Sequence, residues 1–146
     1  MRSSAEYDSG SFVGRSRKTS ILILLLVFAV GTALTLSGRQ GAVTAQVDGE
    51  KLGVVGNYGE PVFVPLEEII DVQLLEELER GEAVDAAESG NTLCGRYRNE
   101  AYGEYELRIY TRGGPYVAVR YGGGETLVFS LSSRRQTENL YANLTE

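Results

Sequence analysis

The stretch EYELRIYTRGGPYVAVRYGGGETLVFS, Glu104–Ser130, decides the class of fold. Tyr105, Leu107 and Ile109 alternate with Glu104, Glu106 and Arg108, the period of two expected of a half-buried strand. Arg112-Gly113-Gly114-Pro115 then turns the chain into Tyr116–Tyr121, where Val117 and Val119 share a face. Gly122-Gly123-Gly124 turns it again into Thr126–Ser130. Three apolar runs joined by Gly-rich turns predict an antiparallel meander.

Upstream, the same grammar recurs. Val43, Ala45 and Val47 alternate with Thr44, Gln46 and Asp48, and Asp48-Gly49 has the chemistry of a tight turn. Leu52, Val54 and Val55 predict the return strand, Gly56-Asn57-Tyr58-Gly59 a further turn, and Val62-Phe63-Val64 a third strand closed by Pro65. Residues 66–80 fit two patterns. Leu66, Ile69, Ile70, Leu74 and Leu78 would line one face of a helix, whereas Val72 and Leu74 alternate with Asp71 and Gln73 as in a strand. Residues 79–91 are polar and acidic and read as a mobile loop. At the C-terminal end Ser133 and Gln136 have the spacing of a capping box, and Leu140, Tyr141 and Leu144 form the apolar stripe of a helix that would lie on the sheet. The expected fold is therefore mainly β, a small sandwich or barrel closed by a C-terminal helix.

Outside this region lies a different kind of sequence. Residues 19–38, TSILILLLVFAVGTALTLSG, hold no charge over twenty positions, about 30 Å of helix at 1.5 Å per residue. Eleven Ile, Leu, Val and Phe side chains between Ile21 and Leu36 favour insertion by about 3–6 kcal/mol. Arg15, Arg17 and Lys18 precede the stretch directly, whereas only Arg39 follows it closely. The positive-inside rule then predicts a single-pass signal anchor in the cell membrane. Residues 1–18 become a disordered cytoplasmic tail, 19–38 a transmembrane helix and 42–146 an extracytoplasmic domain. A cleaved signal with a cut after Ala45 is the alternative, since Val43 and Ala45 are small; it would leave a secreted domain. The charge distribution agrees with two surroundings. Arg2, Arg15, Arg17 and Lys18 outweigh Glu6 and Asp8 before the stretch, whereas acidic residues dominate beyond it and bring the whole chain to −6.

Composition narrows the chemistry. The 146 residues include no histidine and a single cysteine, Cys94, so the usual general base, an internal disulfide and the Ser-His and Cys-His nucleophile pairs are absent. Cys94, between Leu93 and Gly95, reads as a small buried apolar residue. The glycine clusters lie between strands, not ahead of a helix where phosphate would be cradled. The acidic runs Glu67-Glu68, Glu76-Glu77 and Glu82/Asp85/Glu88 lack the spacing of a calcium loop. Neither an enzyme nor a cofactor or metal site is expected, and an acidic domain is not expected to bind nucleic acid. Arg and Tyr interleave on the strands, with Tyr97, Arg108, Tyr110, Tyr116, Arg120 and Tyr121 as a candidate partner-binding face, because Tyr and Arg are favoured contact residues.

The ordered set of phrases resembles the bacterial pleckstrin-homology-like domains found behind membrane spans. They are Val64-Pro65-Leu66 with Ile69 and Val72, Gly95–Gly103 (GRYRNEAYG) with the strand to Tyr110, Pro115–Val119, Thr126–Phe129, and Thr137 with Leu140, Tyr141 and Leu144. Together they cover residues 43–144. The resemblance implies two packed antiparallel sheets capped by the C-terminal helix, with residues 70–75 a strand. It carries no catalytic residues. The function expected is a non-catalytic, membrane-tethered module that binds or positions an envelope or membrane protein. Docking on the lipid surface through Tyr and Arg side chains is the alternative.

Overall fold

A computed structural model describes residues 42–146 of the chain. The tail and the uncharged stretch read above lie outside these residues. Among the described residues no helix is long and apolar enough to cross a membrane.

The architecture is mainly β: two sheets and a C-terminal helix. β1 (Thr44–Val47), β2 (Lys51–Val55) and β3 (Val62–Pro65) form a three-stranded antiparallel sheet in that order. The β1–β2 turn forms for the reason its sequence suggests. Asp48 Oδ1 accepts from the backbone N–H of Glu50 and of Lys51, both at 2.9 Å. A single 3-10 turn, Leu66–Glu68, leads into the second sheet. That sheet contains β4 (Ile69–Leu75), β5 (Glu82–Ser89), β6 (Thr92–Asn99), β7 (Gly103–Tyr110), β8 (Tyr116–Tyr121) and β9 (Glu125–Phe129). Helix α1 (Arg134–Thr145) ends the chain.

The ambiguity over 66–80 resolves to a strand. β4 pairs with β8 from Ile69 to Leu75, which sends Val72 and Leu74 toward the core. A register shift between Ile69 and Asp71 leaves Ile70 55% exposed, so the apparent helical stripe is never assembled. Residues 79–91 also differ from expectation. β5 pairs along β6 as an outer strand, and most of its side chains are exposed. An outer strand held by backbone bonds needs no apolar face, so its acidic composition hid it.

The meander is corrected too. The sheet order is β4-β8-β9-β7-β6-β5, so β7 and β8 are not neighbours; β9 lies between them and runs parallel to β7. The Gly-rich segment after Tyr110 is thus a crossover and not a hairpin. The wide sheet is consequently not wholly antiparallel.

β8 and β9 are buried on both sides, and two apolar clusters result. Val117, Val119, Leu127 and Phe129 join Leu52, Val54 and Val64 of the small sheet, Cys94 and Leu140 of α1. Tyr116, Ala118 and Val128 face the other way, with Tyr97, Tyr105, Leu107 and Ile109, partly covered by Leu75, Leu78 and Tyr102. At the start of α1, Ser133 Oγ accepts from Gln136 N at 3.2 Å. The reciprocal arm of the box is diverted, since the Gln136 side chain accepts from the Ser132 hydroxyl at 2.7 Å instead.

Candidate functional site

The six Tyr and Arg residues expected to share a face do not share one. Tyr97 and Tyr116 are buried in the second cluster. Tyr110 and Tyr121 pack against the first, on the opposite side of the wide sheet. The Tyr110 hydroxyl accepts from the backbone N–H of Val43 at 3.2 Å. Burial pushes the phenols of Tyr97 and Tyr121 above their ordinary value. Arg120 is exposed and lines a second depression, about 640 Å³, with Ile70, Asp71, Gln73 and Tyr102. Arg108 is only 2% exposed. Of the six, Arg108 and Tyr121 alone line one cleft.

That cleft, about 720 Å³, lies where the small sheet stops short of covering the wide one. Its wall is the β2–β3 loop, Tyr58–Pro61, followed by Val62 and Phe63 of β3; its floor includes Arg96, Glu104, Glu106 and Arg108, with Asp85 and Glu125 at the margins. Arg108 organises it. Nη1 donates to Leu107 O (2.9 Å), Glu106 Oε2 (3.0 Å) and Gly95 O (3.3 Å), and Nη2 donates to Glu60 O (3.2 Å). Nε has no partner. The planar guanidinium thus ties the β2–β3 loop to the sheet beneath, a task a point-like ammonium would do poorly.

The loop can lie this close because two positions carry no side chain. A Cβ on Gly56 would stand 2.5 Å from Cys94 Sγ and 2.7 Å from Arg108 Cδ. On Gly59, at φ +81°, it would stand 2.8 Å from Arg108 Nη2. Tyr58 between them donates from its hydroxyl to Asp85 Oδ1 at 2.7 Å, which pins the loop to β5 and raises the Tyr58 phenol. Cys94 is buried under the same loop, and burial pushes its thiol up, away from the reactive thiolate.

The carboxylates of the cleft are partly spoken for. Asp85 pairs with Arg96 at 3.8 Å, Glu106 with Arg108 at 3.0 Å, and Glu104 with Arg98. Glu60 and Glu125 form no ion pair with any described residue. No group of three or more Cys, Asp or Glu side chains among the described residues is arranged to hold a metal ion. Sequence reasoning missed Tyr58, Glu60, Phe63 and Glu125 as cleft residues. Their one signal was Phe63, a large ring on a short strand bounded by prolines.

Comparison of the chain with protein-family models, with curated proteins and with solved structures finds no match.

Proposed function

We propose that this chain is a non-catalytic module, tethered to the cell membrane by residues 19–38, that binds or positions another membrane or envelope protein through its β domain. The observation that carries the reading is the twenty-residue uncharged stretch with its basic N-terminal flank, followed within a few residues by a folded acidic domain. Recruitment to a bilayer raises the effective concentration of a binding module toward membrane partners without any new contact. The use of polar groups in the domain supports the same reading. Arg108, Tyr105 and Asn99 spend their donors on loop carbonyls, which is scaffolding and not chemistry. The two sheets and closing helix agree with a pleckstrin-homology-like domain, and the parallel β7–β9 pair is a departure from what that resemblance implies.

Docking on lipid through Tyr side chains draws less support, because Tyr97, Tyr105 and Tyr116 are buried. Topology is tested by a Ser89→Cys thiol on a Cys94→Ser background, Ser89 being exposed on β5 and Cys94 fully buried. The expected result is labelling by an impermeant maleimide in intact cells, with the product retained in the membrane fraction. Labelling only after lysis reverses the orientation, and labelled product in the medium replaces the tether with a cleaved signal.

A further inference from the structure

We propose that the outer edge of β3 and the acidic cleft beside it receive an extended segment of the partner that bears lysine or arginine. This names the chemistry of the partner and rests on the binding-module reading above.

Three observations converge on β3. It is an outer strand of its sheet, so alternate backbone N–H and C=O groups along one side face away from β2, the template on which an added strand forms. The other outer strands are less suited. Helix α1 packs against β1 and β4, and β5 is bulged between Ala83 and Asp85. Beside β3 lies an open cleft of the size that takes a peptide or small ligand, about 720 Å³; a second, of about 640 Å³, lies by β4 but has one acidic side chain, Asp71, against Arg120.

The side chains around that edge specify the sign of the occupant. Among the described residues, two of the four exposed large hydrophobic side chains, Tyr58 (38%) and Phe63 (57%), line the cleft. Five carboxylates line the cleft against two arginines, and Glu60 and Glu125 lack an ion-pair partner among the described residues. A carboxylate without an ion-pair partner at an open cleft receives the cationic head of Lys or Arg as a charge-assisted hydrogen bond. The Phe63 ring is already taken by Lys51, whose Nζ stands 5.0 Å from its centroid, so the carboxylates and not the ring set the sign of the occupant. An anionic segment would meet the same carboxylates as repulsion. Pro61 and Pro65 bound the strand, so pairing is confined to a short register.

The test uses the full chain in neutral detergent micelles and three labelled decapeptides read by fluorescence anisotropy. One alternates Val and Lys, one alternates Val and Glu, and the third is the Val-Lys peptide N-methylated at alternate residues. The Val-Lys peptide is expected to bind saturably, the Val-Glu peptide to bind at least tenfold more weakly, and N-methylation to weaken binding by a similar factor. The double variant Glu60→Lys, Glu125→Lys is expected to lose at least tenfold in affinity. The control Glu100→Lys, Glu146→Lys, reversed at exposed positions outside the cleft, is expected to lose less than twofold. Equal losses in both double variants, or equal binding of all three peptides, would overturn the proposal. The peptide comparisons on the unaltered chain hold even where a variant folds poorly.

Photocrosslinking in intact cells separates this idea from the reading beneath it. With benzoylphenylalanine at Phe63, adducts mapped to a Lys- or Arg-bearing segment support the proposal. Adducts formed only from Asn139, exposed on α1, leave a binding module whose site is not this cleft. Absence of adducts from both positions overturns the binding-module reading itself.

Discussion

Arg108 is the residue on which the cleft depends, and its removal should be costly. A buried guanidinium with a half-buried carboxylate and three carbonyls around it is balanced by those partners, and truncation takes this donor from all four. Arg108→Ala is expected to lose about 3–5 kcal/mol of unfolding free energy, measured by urea denaturation of the full chain in detergent. Arg108→Met fills the space without the donors, and a smaller loss there would assign the remainder to the vacated volume. Gly56→Ala tests the same close approach from above, since Cys94 and Arg108 must both yield; a loss of about 1–3 kcal/mol is expected. Tyr105 offers a titration. Burial pushes its phenol up to about 12, and its hydroxyl donates to Arg80 O at 2.7 Å. The fold therefore favours the protonated form. That contribution is complete below the ordinary tyrosine value near 10 and is lost as pH rises from there toward 12. Alkaline titration at 295 nm should show a late phenol that Tyr105→Phe removes. An unchanged late limb in that variant would place it on another tyrosine. None of this burial was legible locally. Glu104, Glu106 and Arg108 alternate with an apolar set and so read as the wet side of a strand, whereas the small sheet, forty residues upstream, covers only the Arg108 end.

At the scale of elements, the first turn of helix α1 takes its capping oxygen from Ser133. Ser133→Ala should lose about 1 kcal/mol because the Gln136 N–H then has no capping oxygen, whereas Ser132→Ala should fall within about 0.5 kcal/mol, since Ser132 is exposed and bonds only the Gln136 side chain. Thermal unfolding of the two variants side by side separates a cap from an adjacent surface hydroxyl. This helix, the first hairpin, β3, β7, β8 and β9 were all readable, for each places apolar residues at its own period or marks its ends with turn chemistry. β4 was readable only as a choice between two periods, because Leu66, Ile69, Ile70, Leu74 and Leu78 fit a helix whereas Val72 and Leu74 fit a strand. The bulge at Ile70 decided between them, and no local pattern encodes a bulge. β5 was not readable at all. Its contribution is a row of backbone bonds to β6, and Val84, its one large apolar side chain, is 42% exposed at a register shift. The crossover after Tyr110 was misread as a hairpin because Gly-Gly-Pro chemistry permits both. The choice falls to β9, which pairs with β7 and β8 at once and separates them.

At the scale of the whole domain, the two apolar clusters share one sheet, and this dictates how the protein should unfold. β7, β8 and β9 give alternate side chains to the two sides, so neither cluster can open while the other keeps its strands in register. Leu127 lies fully buried in the first cluster and Leu107 fully buried in the second. Leu127→Ala and Leu107→Ala should each lose about 2–5 kcal/mol, the range for emptying a well-packed leucine site. Both should lower the midpoint of one common transition without changing its urea dependence. Two optical signals can be made to separate the clusters. The chain has no tryptophan, and Tyr97, Tyr102, Tyr105 and Tyr116 lie at the second cluster; once Tyr110, Tyr121 and Tyr141, which pack against the first, are replaced by Phe in the parent chain, tyrosine fluorescence reports mainly on the second. Far-ultraviolet circular dichroism reports on both sheets and α1. If the shared strands couple the clusters, the two signals coincide in the parent chain and in both variants, because each mutation weakens the same cooperative unit. If Leu127→Ala shifts dichroism while the tyrosine signal keeps its parental midpoint, the small sheet and α1 form a separable lid on the wide sheet. The cleft beside β3 would then be a seam between two units of different stability, and occupation of that seam by a partner would stabilise the lid.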